Sequence, residues 1–195
     1  MNFENFFAGK TEVPSNLALL AREMPDRCLI VVELDRPIVL TQETRLELPQ
    51  MSPETRERLE LLGVPKEVLD AIGSEAEAKI YEGANLEPAE VNGKDALIRT
   101  DIDYDQKDYM GTTNLDRMKS GRAPLDANGK PIELHHIGQK QDSPLAELTS
   151  AEHRGNGNDN VLHNKQKESE INREDFDKER KDYWKARAEQ IENQR

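Results

Sequence analysis

With 195 residues and a mass of 22.2 kDa, the chain has room for one domain or two small ones, since domains commonly run ~100–150 residues. Hydrophobic residues make up 35% and charged residues 34%, a polar balance, but Leu, Ile and Val recur in periodic blocks, so a folded chain with a modest core is expected. The single cysteine, Cys28, excludes a disulfide framework and a Cys-based zinc ribbon; no apolar run approaches the ~18–20 residues of a membrane span, and the first residues lack the basic-then-apolar order of a signal peptide.

Along the chain, residues 15–24 (SNLALLAREM) read as a short helix with Ser15 as its cap, residues 28–34 (CLIVVEL) as a β-branched strand, and residues 38–41 as a second strand. Ser52-Pro53-Glu54 supplies a cap, a first-turn proline and an acid for a helix ending at Gly63. Further helices are expected over 65–72 and from Ser74 to about Tyr81. Residues 85–94 (NLEPAEVNGK) read as a polar turn region before a short strand at 96–100, and the domain boundary is placed there. Asp101, Asp103 and Asp105 alternate like the first ligands of a calcium loop, but Gln106 stands where glycine is needed and Thr112 where glutamate is needed, so the stretch reads as a solvated acidic strand end.

Beyond Gly111, TNLDRMKSG reads as a short helix closed by Gly121, and DANGK (126–130) as a hairpin turn using Asn128-Gly129. A strand over 131–137 carries His135 and His136, a partner strand covers 145–149, and Thr149 to Glu152 fits a capping box. A Gly/Asn/Asp loop and residues 161–167 follow. The longest element is a helix capped by Asn172, with Phe176, Tyr183, Trp184, Ala188 and Ile191 near helical spacing as a packed face.

The formal charge of −12 opposes a nucleic-acid partner on average, but it is unevenly spread: through Met110 there are 12 Lys and Arg against 23 Asp and Glu, and thereafter 15 against 16. All four histidines, His135, His136, His153 and His163, lie in the second, near-neutral part. Adjacent strand residues point to opposite faces, so His135 and His136 suit two different jobs, one holding a metal and the other taking a proton from water. A strand-turn-strand-helix run with His-His on the first strand and His on the helix has the outline of a ββα-metal nuclease site; a His-rich structural zinc site is the alternative, since C₂H₂ and HExxH spacings are absent.

The stretch TNLDRMKSGRAPLDANGKPIELHHIGQKQDSPLAELTSAEHRGNGNDNVLH, with Leu134-His135-His136 at its centre, resembles the LHH toxin nucleases of the HNH/endonuclease VII superfamily; looser similarity reaches back to DALIRTDID and forward to Tyr183-Trp184. The chain is accordingly expected to be α+β: the resemblance implies a ββα-metal nuclease domain over 96–195 with a long C-terminal helix, while residues 1–95, acidic and without a recognised motif, read as a mixed α/β adaptor or docking region, expected to be dispensable for chemistry because their charge opposes DNA and they hold none of the histidines. The resemblance also implies a metal-dependent DNase with a divalent cofactor (Mg²⁺, Mn²⁺, Ni²⁺ or Zn²⁺), exported without a signal peptide by a secretion-system component or carrier. The enzyme would act in a target-cell cytoplasm and be neutralised by a cognate immunity protein; a His-zinc binding module and an RNase are the alternatives. On this resemblance His135, His153 and His163 look like metal ligands and His136 like the general base. The orienting asparagine of HNH sites would fall near Ser143-Pro144, where there is none; Gln139 or a backbone carbonyl is the candidate to orient the base in its place. Arg117, Lys119, Arg122 and Arg154 are the candidate phosphate contacts.

Overall fold

In the computed structural model, residues 48–165 and 167–195 are described and all belong to one compact unit; the elements expected over 15–24, 28–34 and 38–41, and Cys28, lie outside these residues. Three short helices come first, α1 (Pro53–Leu61), α2 (Lys66–Ala71) and α3 (Glu75–Gly83). α1 and α3 start where their caps say: Ser52 Oγ accepts from Thr55 N and Ser74 Oγ from Glu77 N, each at 3.1 Å. Then follow β1 (Leu86–Val91), β2 (Lys94–Arg99), α4 (Asn114–Lys119) capped by Thr113, β3 (Glu133–His136), β4 (Leu145–Leu148), α5 (Ser150–Arg154), α6 (Asn158–Leu162) and the 22-residue α7 (Arg173–Gln194).

The four strands form one sheet in the order β1-β2-β4-β3. β1 and β2 are an antiparallel hairpin, β2 runs parallel to β4 through Ala96↔Leu145 and Leu97↔Ala146, and β3 is antiparallel to β4, with His135 opposite Ala146 and His136 opposite Leu145. β1 corrects the expectation of a polar turn over 85–94. Pro88 and the acidic neighbours argue against a central strand, but β1 is an edge, where a missing N–H need not break a ladder. Only Asn92 and Gly93 turn, at φ 53° and 76°, the left-handed pair of a two-residue hairpin.

The boundary expected at 95/96 therefore falls inside β2. On one face of the sheet, Val68 and Leu69 of α2 and Ala78 and Tyr81 of α3 share a core with Leu97, Ala146, Leu148 and Leu162. On the other face, Tyr183, Trp184, Ala188 and Ile191 of α7 pack with Met118 of α4 and with Ala96, Leu134 and Leu145. Residues on both sides of position 95 build the first of these cores, so the helices before the hairpin and the histidine strand fold as parts of the same unit.

Two further details hold the histidine strand in place. Gly138, at φ 76° just after β3, lies so close to α2 that a Cβ there would sit 2.7 Å from the Ala71 carbonyl oxygen. On the α7 face, Glu147 is fully buried and accepts from Tyr183 Oη at 2.8 Å, Arg187 Nε at 3.1 Å and the Arg99 amide at 2.8 Å. Burial raises its carboxyl pKa, opposed by the Arg187 charge and these hydrogen bonds.

Candidate metal centre

Strand alternation separates the two adjacent histidines. Glu133 and His135 face α5 and α6, whereas Leu134 and His136 face α7. The capping box at Thr149 starts α5 so that His153 lies in its last turn, and His163 is the C-cap of α6. The three rings of His135, His153 and His163 meet with centroids 4.8–5.1 Å apart. His153 Nε2 stands 3.2 Å from His135 Nδ1 and 3.2 Å from His163 Nε2.

Each outer nitrogen tells which inner one carries a lone pair. His153 Nδ1–H donates to Glu133 Oε2, and His163 Nδ1–H donates to Asp159 Oδ1 at 2.9 Å, so both Nε2 atoms face inward without a proton. His135 Nε2 is buried with no partner. An acceptor-rich cluster of this kind fits a cation: tetrahedral zinc at ~2.0–2.1 Å from imidazole nitrogens spaces them about 3.3–3.4 Å apart, close to the two distances observed. The three inner ligand atoms all lie within 4.8 Å of one another, and these residues could hold a metal ion.

Electrostatics prepares the same state. Burial pushes the His135 pKa well below its ordinary 6.5, helped by the neighbouring histidines. Burial also lowers His153, against the opposing pull of Glu133. Both rings are thus neutral near pH 7, the form that ligates. Burial would raise Glu133, but its bonds to His153 and to Arg154 Nε (2.9 Å) outweigh it, and the carboxylate stays below its usual range. A carboxylate behind a ligating imidazole fixes the tautomer and ring direction. Sequence reasoning missed Glu133, although its place two residues before His135 on a strand puts it on the same face.

His136 lies on the other side of the sheet with its side chain fully buried. Its Nε2–H donates to Glu179 Oε2 at 2.9 Å, Phe176 stands against its ring at a centroid distance of 4.6 Å, and Nδ1 is buried without a partner. It is not the solvent-facing side chain a base at an open strand edge would be, so replacing it with alanine opens a cavity. Gln139 does not touch it. The Gln139 amide oxygen instead accepts from Asn164 N at 2.7 Å, because the turn at Gly138 and Gln139 (φ 76° and 60°) carries that side chain toward the segment after His163.

The candidate phosphate contacts divide. Arg154 adjoins the triad through Glu133 and stays largely exposed. Arg117 and Lys119 sit on α4, which packs against α7 on the opposite face of the sheet from the triad. Arg117 is bound to Asp108 Oδ2 at 2.9 Å and to the Ala123 carbonyl at 3.0 Å, Lys119 is paired with Glu192, and Arg122 donates to Ser120 Oγ at 2.9 Å. The arrangement brings Arg154 to the triad and leaves the other three away from it.

Residues 113–190 match the family model described as LHH, a nuclease of the HNH/ENDO VII superfamily with conserved LHH. The match covers α4, β3, β4, α5, α6 and most of α7, and with them all four histidines. No solved structure matches the chain, and among the described residues no helix is long and apolar enough to cross a membrane.

Proposed function

We propose, from the match of residues 113–190 to the LHH nuclease model of the HNH/ENDO VII superfamily, that the chain is a metal-dependent endonuclease that hydrolyses DNA phosphodiester bonds. The observation that carries the reading is the meeting of His135, His153 and His163 through inward-facing nitrogens beside the LHH strand. A divalent ion bound there supplies charge stabilisation at the scissile phosphate and its leaving oxygen. The chain's own part is divided among named groups. Glu133 holds His153 in its ligating tautomer and Arg154 lies beside the triad as the cation for a phosphate oxygen, whereas His136, buried against Glu179 and Phe176 on the opposite face of the sheet, lacks a route to the attacking water expected of a general base.

The biological role follows the family resemblance: an antibacterial toxin delivered by a secretion system, acting in the cytoplasm of a target cell and blocked in the producer by an immunity protein. Plasmid nicking by the purified chain with Mg²⁺, Mn²⁺, Ni²⁺ or Zn²⁺ tests the chemistry, and the expected result is cleavage that stops in EDTA. Undiminished cleavage in excess EDTA overturns it, and cleavage of RNA alone replaces DNA as the substrate. Growth arrest with DNA damage on cytoplasmic expression in bacteria, relieved by His135→Ala, tests the toxin role.

A further inference from the structure

We propose that Arg99 is a positioning residue for the metal centre, gripping Glu152 so that the two short helices bearing His153 and His163 start in fixed places. The inference deepens the nuclease reading and rests on its metal centre.

Strand alternation sends the Arg99 side chain to the same face of β2 as Leu97, which there shares a core with Leu162 of α6. Every nitrogen of its guanidinium is engaged. Nε and Nη2 each donate at 2.8 Å to one oxygen of Asp101, and Nη1 donates to Glu152 Oε2 at 2.5 Å. Only 4% of this side chain is exposed. Asp101 accepts in turn from Asn85 Nδ2 at 2.8 Å. The planar fork is thus anchored on one carboxylate and presents its remaining edge to the other, a division that a guanidinium makes and an ammonium does not.

Glu152 carries that grip to the ligands. Its carboxylate closes the capping box of α5, Oε2 accepting from Thr149 N at 2.8 Å while Glu152 N donates to Thr149 Oγ1 at 3.2 Å. Its carbonyl accepts at 2.7 Å from Nδ2 of Asn158, the residue that opens α6. His153 follows Glu152 directly, and His163 caps the far end of α6. Both helices have five residues, and a helix so brief does not recover the cost of its nucleation from its own backbone bonds. The link between them turns through Asn156 at φ 52° and Gly157 at φ 83°. Placement of the two histidines therefore depends on side-chain bonds, and Glu152 makes one at the start of each helix. Arg99 precedes the LHH match, which begins at residue 113, so this support of the triad comes from the hairpin before the matched segment.

The experiment titrates the full chain with Co²⁺, whose visible absorption reports the geometry of its ligands, and follows urea unfolding in parallel. Arg99→Met and Glu152→Gln are each expected to weaken Co²⁺ binding about 10-fold, the lower end of what a metal site loses with its outer support, and to alter the absorption band. A glutamine here still accepts from Thr149 N, so Glu152→Gln removes the ionic grip and keeps the cap. Because both substitutions break one bond, the double variant binds Co²⁺ no more weakly than the weaker single one. Losses that add in the double variant mean a general loosening of the fold and overturn the proposal. Parental affinity and spectrum in Glu152→Gln also overturn it, and that variant decides the matter if Arg99→Met fails to fold. The expected Co²⁺ responses in a chain that cuts no nucleic acid uphold the role of Arg99 and overturn the nuclease reading, whereas a parent that binds no Co²⁺ overturns both.

Discussion

Glu133 and His153, twenty residues apart, are joined side chain to side chain, and that bond turns His153 Nε2 toward His135 and His163. A metal centre on this face depends on a residue that ligates nothing. Glu133→Gln replaces the charged acceptor behind the imidazole with a weaker neutral one. We expect metal affinity to fall about 10–100-fold, the usual cost of losing such support, with Arg154 freed from its carboxylate partner. Competition titration against a chelator measures it. Unchanged affinity means that His153 needs no support from Glu133.

Acidification separates the metal-free and metal-bound proteins. His135 and His153 have folded-state pKa values held below 6.5, chiefly by burial. As pH falls below 6.5 the unfolded chain gains protons at these rings and the folded one does not, so stability present above that pH is progressively lost toward the lower folded values. Urea unfolding at pH 7.5 and at pH 5.5 in EDTA should show the midpoint falling with pH. Saturating metal at pH 7.5 should raise the midpoint again, the unfolding free energy gaining about 2.7 kcal/mol when the free ion is 100 times the dissociation constant. A metal-free midpoint that is flat across this window excludes the depressed rings.

Deleting residues 1–95 should abolish folding rather than liberate an active fragment. The cut falls inside β2, removes its antiparallel partner β1, and strips Val68, Leu69, Ala78 and Tyr81 from the core that backs Ala146 and Leu148. A thermal melt of the 96–195 fragment followed by circular dichroism should lack a cooperative transition. A sharp cooperative melt restores the boundary at 95/96 that the sequence suggested.

Arg187→Leu leaves Glu147 with its charge buried and its strongest partner gone. Both side chains are almost wholly buried, so the loss is expected to reach about 3–5 kcal/mol, as for other broken buried pairs. The double substitution Glu147→Leu with Arg187→Leu should recover much of it, since neither charge then remains to be solvated. Chemical denaturation of the two variants decides this. A single variant as stable as the parent means water reaches Glu147.

Local chemistry was legible in the sequence. Ser52, Ser74, Thr113, Thr149 and Asn172 mark helix starts because a short polar side chain beside an apolar-periodic run satisfies backbone N–H groups a few residues away. The separation of His135 from His136 follows equally from the two-residue period of a strand. Tertiary structure alone decided whom each histidine meets. The parallel pairing of β2 with β4, the reading of residues 86–91 as an edge strand, and the partners Glu179 and Lys94 all join residues far apart in the chain. No local periodicity encodes such pairings, because they are selected by the packing of two cores on opposite faces of one sheet. For the same reason Gln139, near His136 in sequence, turns away from it at Gly138, while Glu179, 43 residues distant, holds the ring.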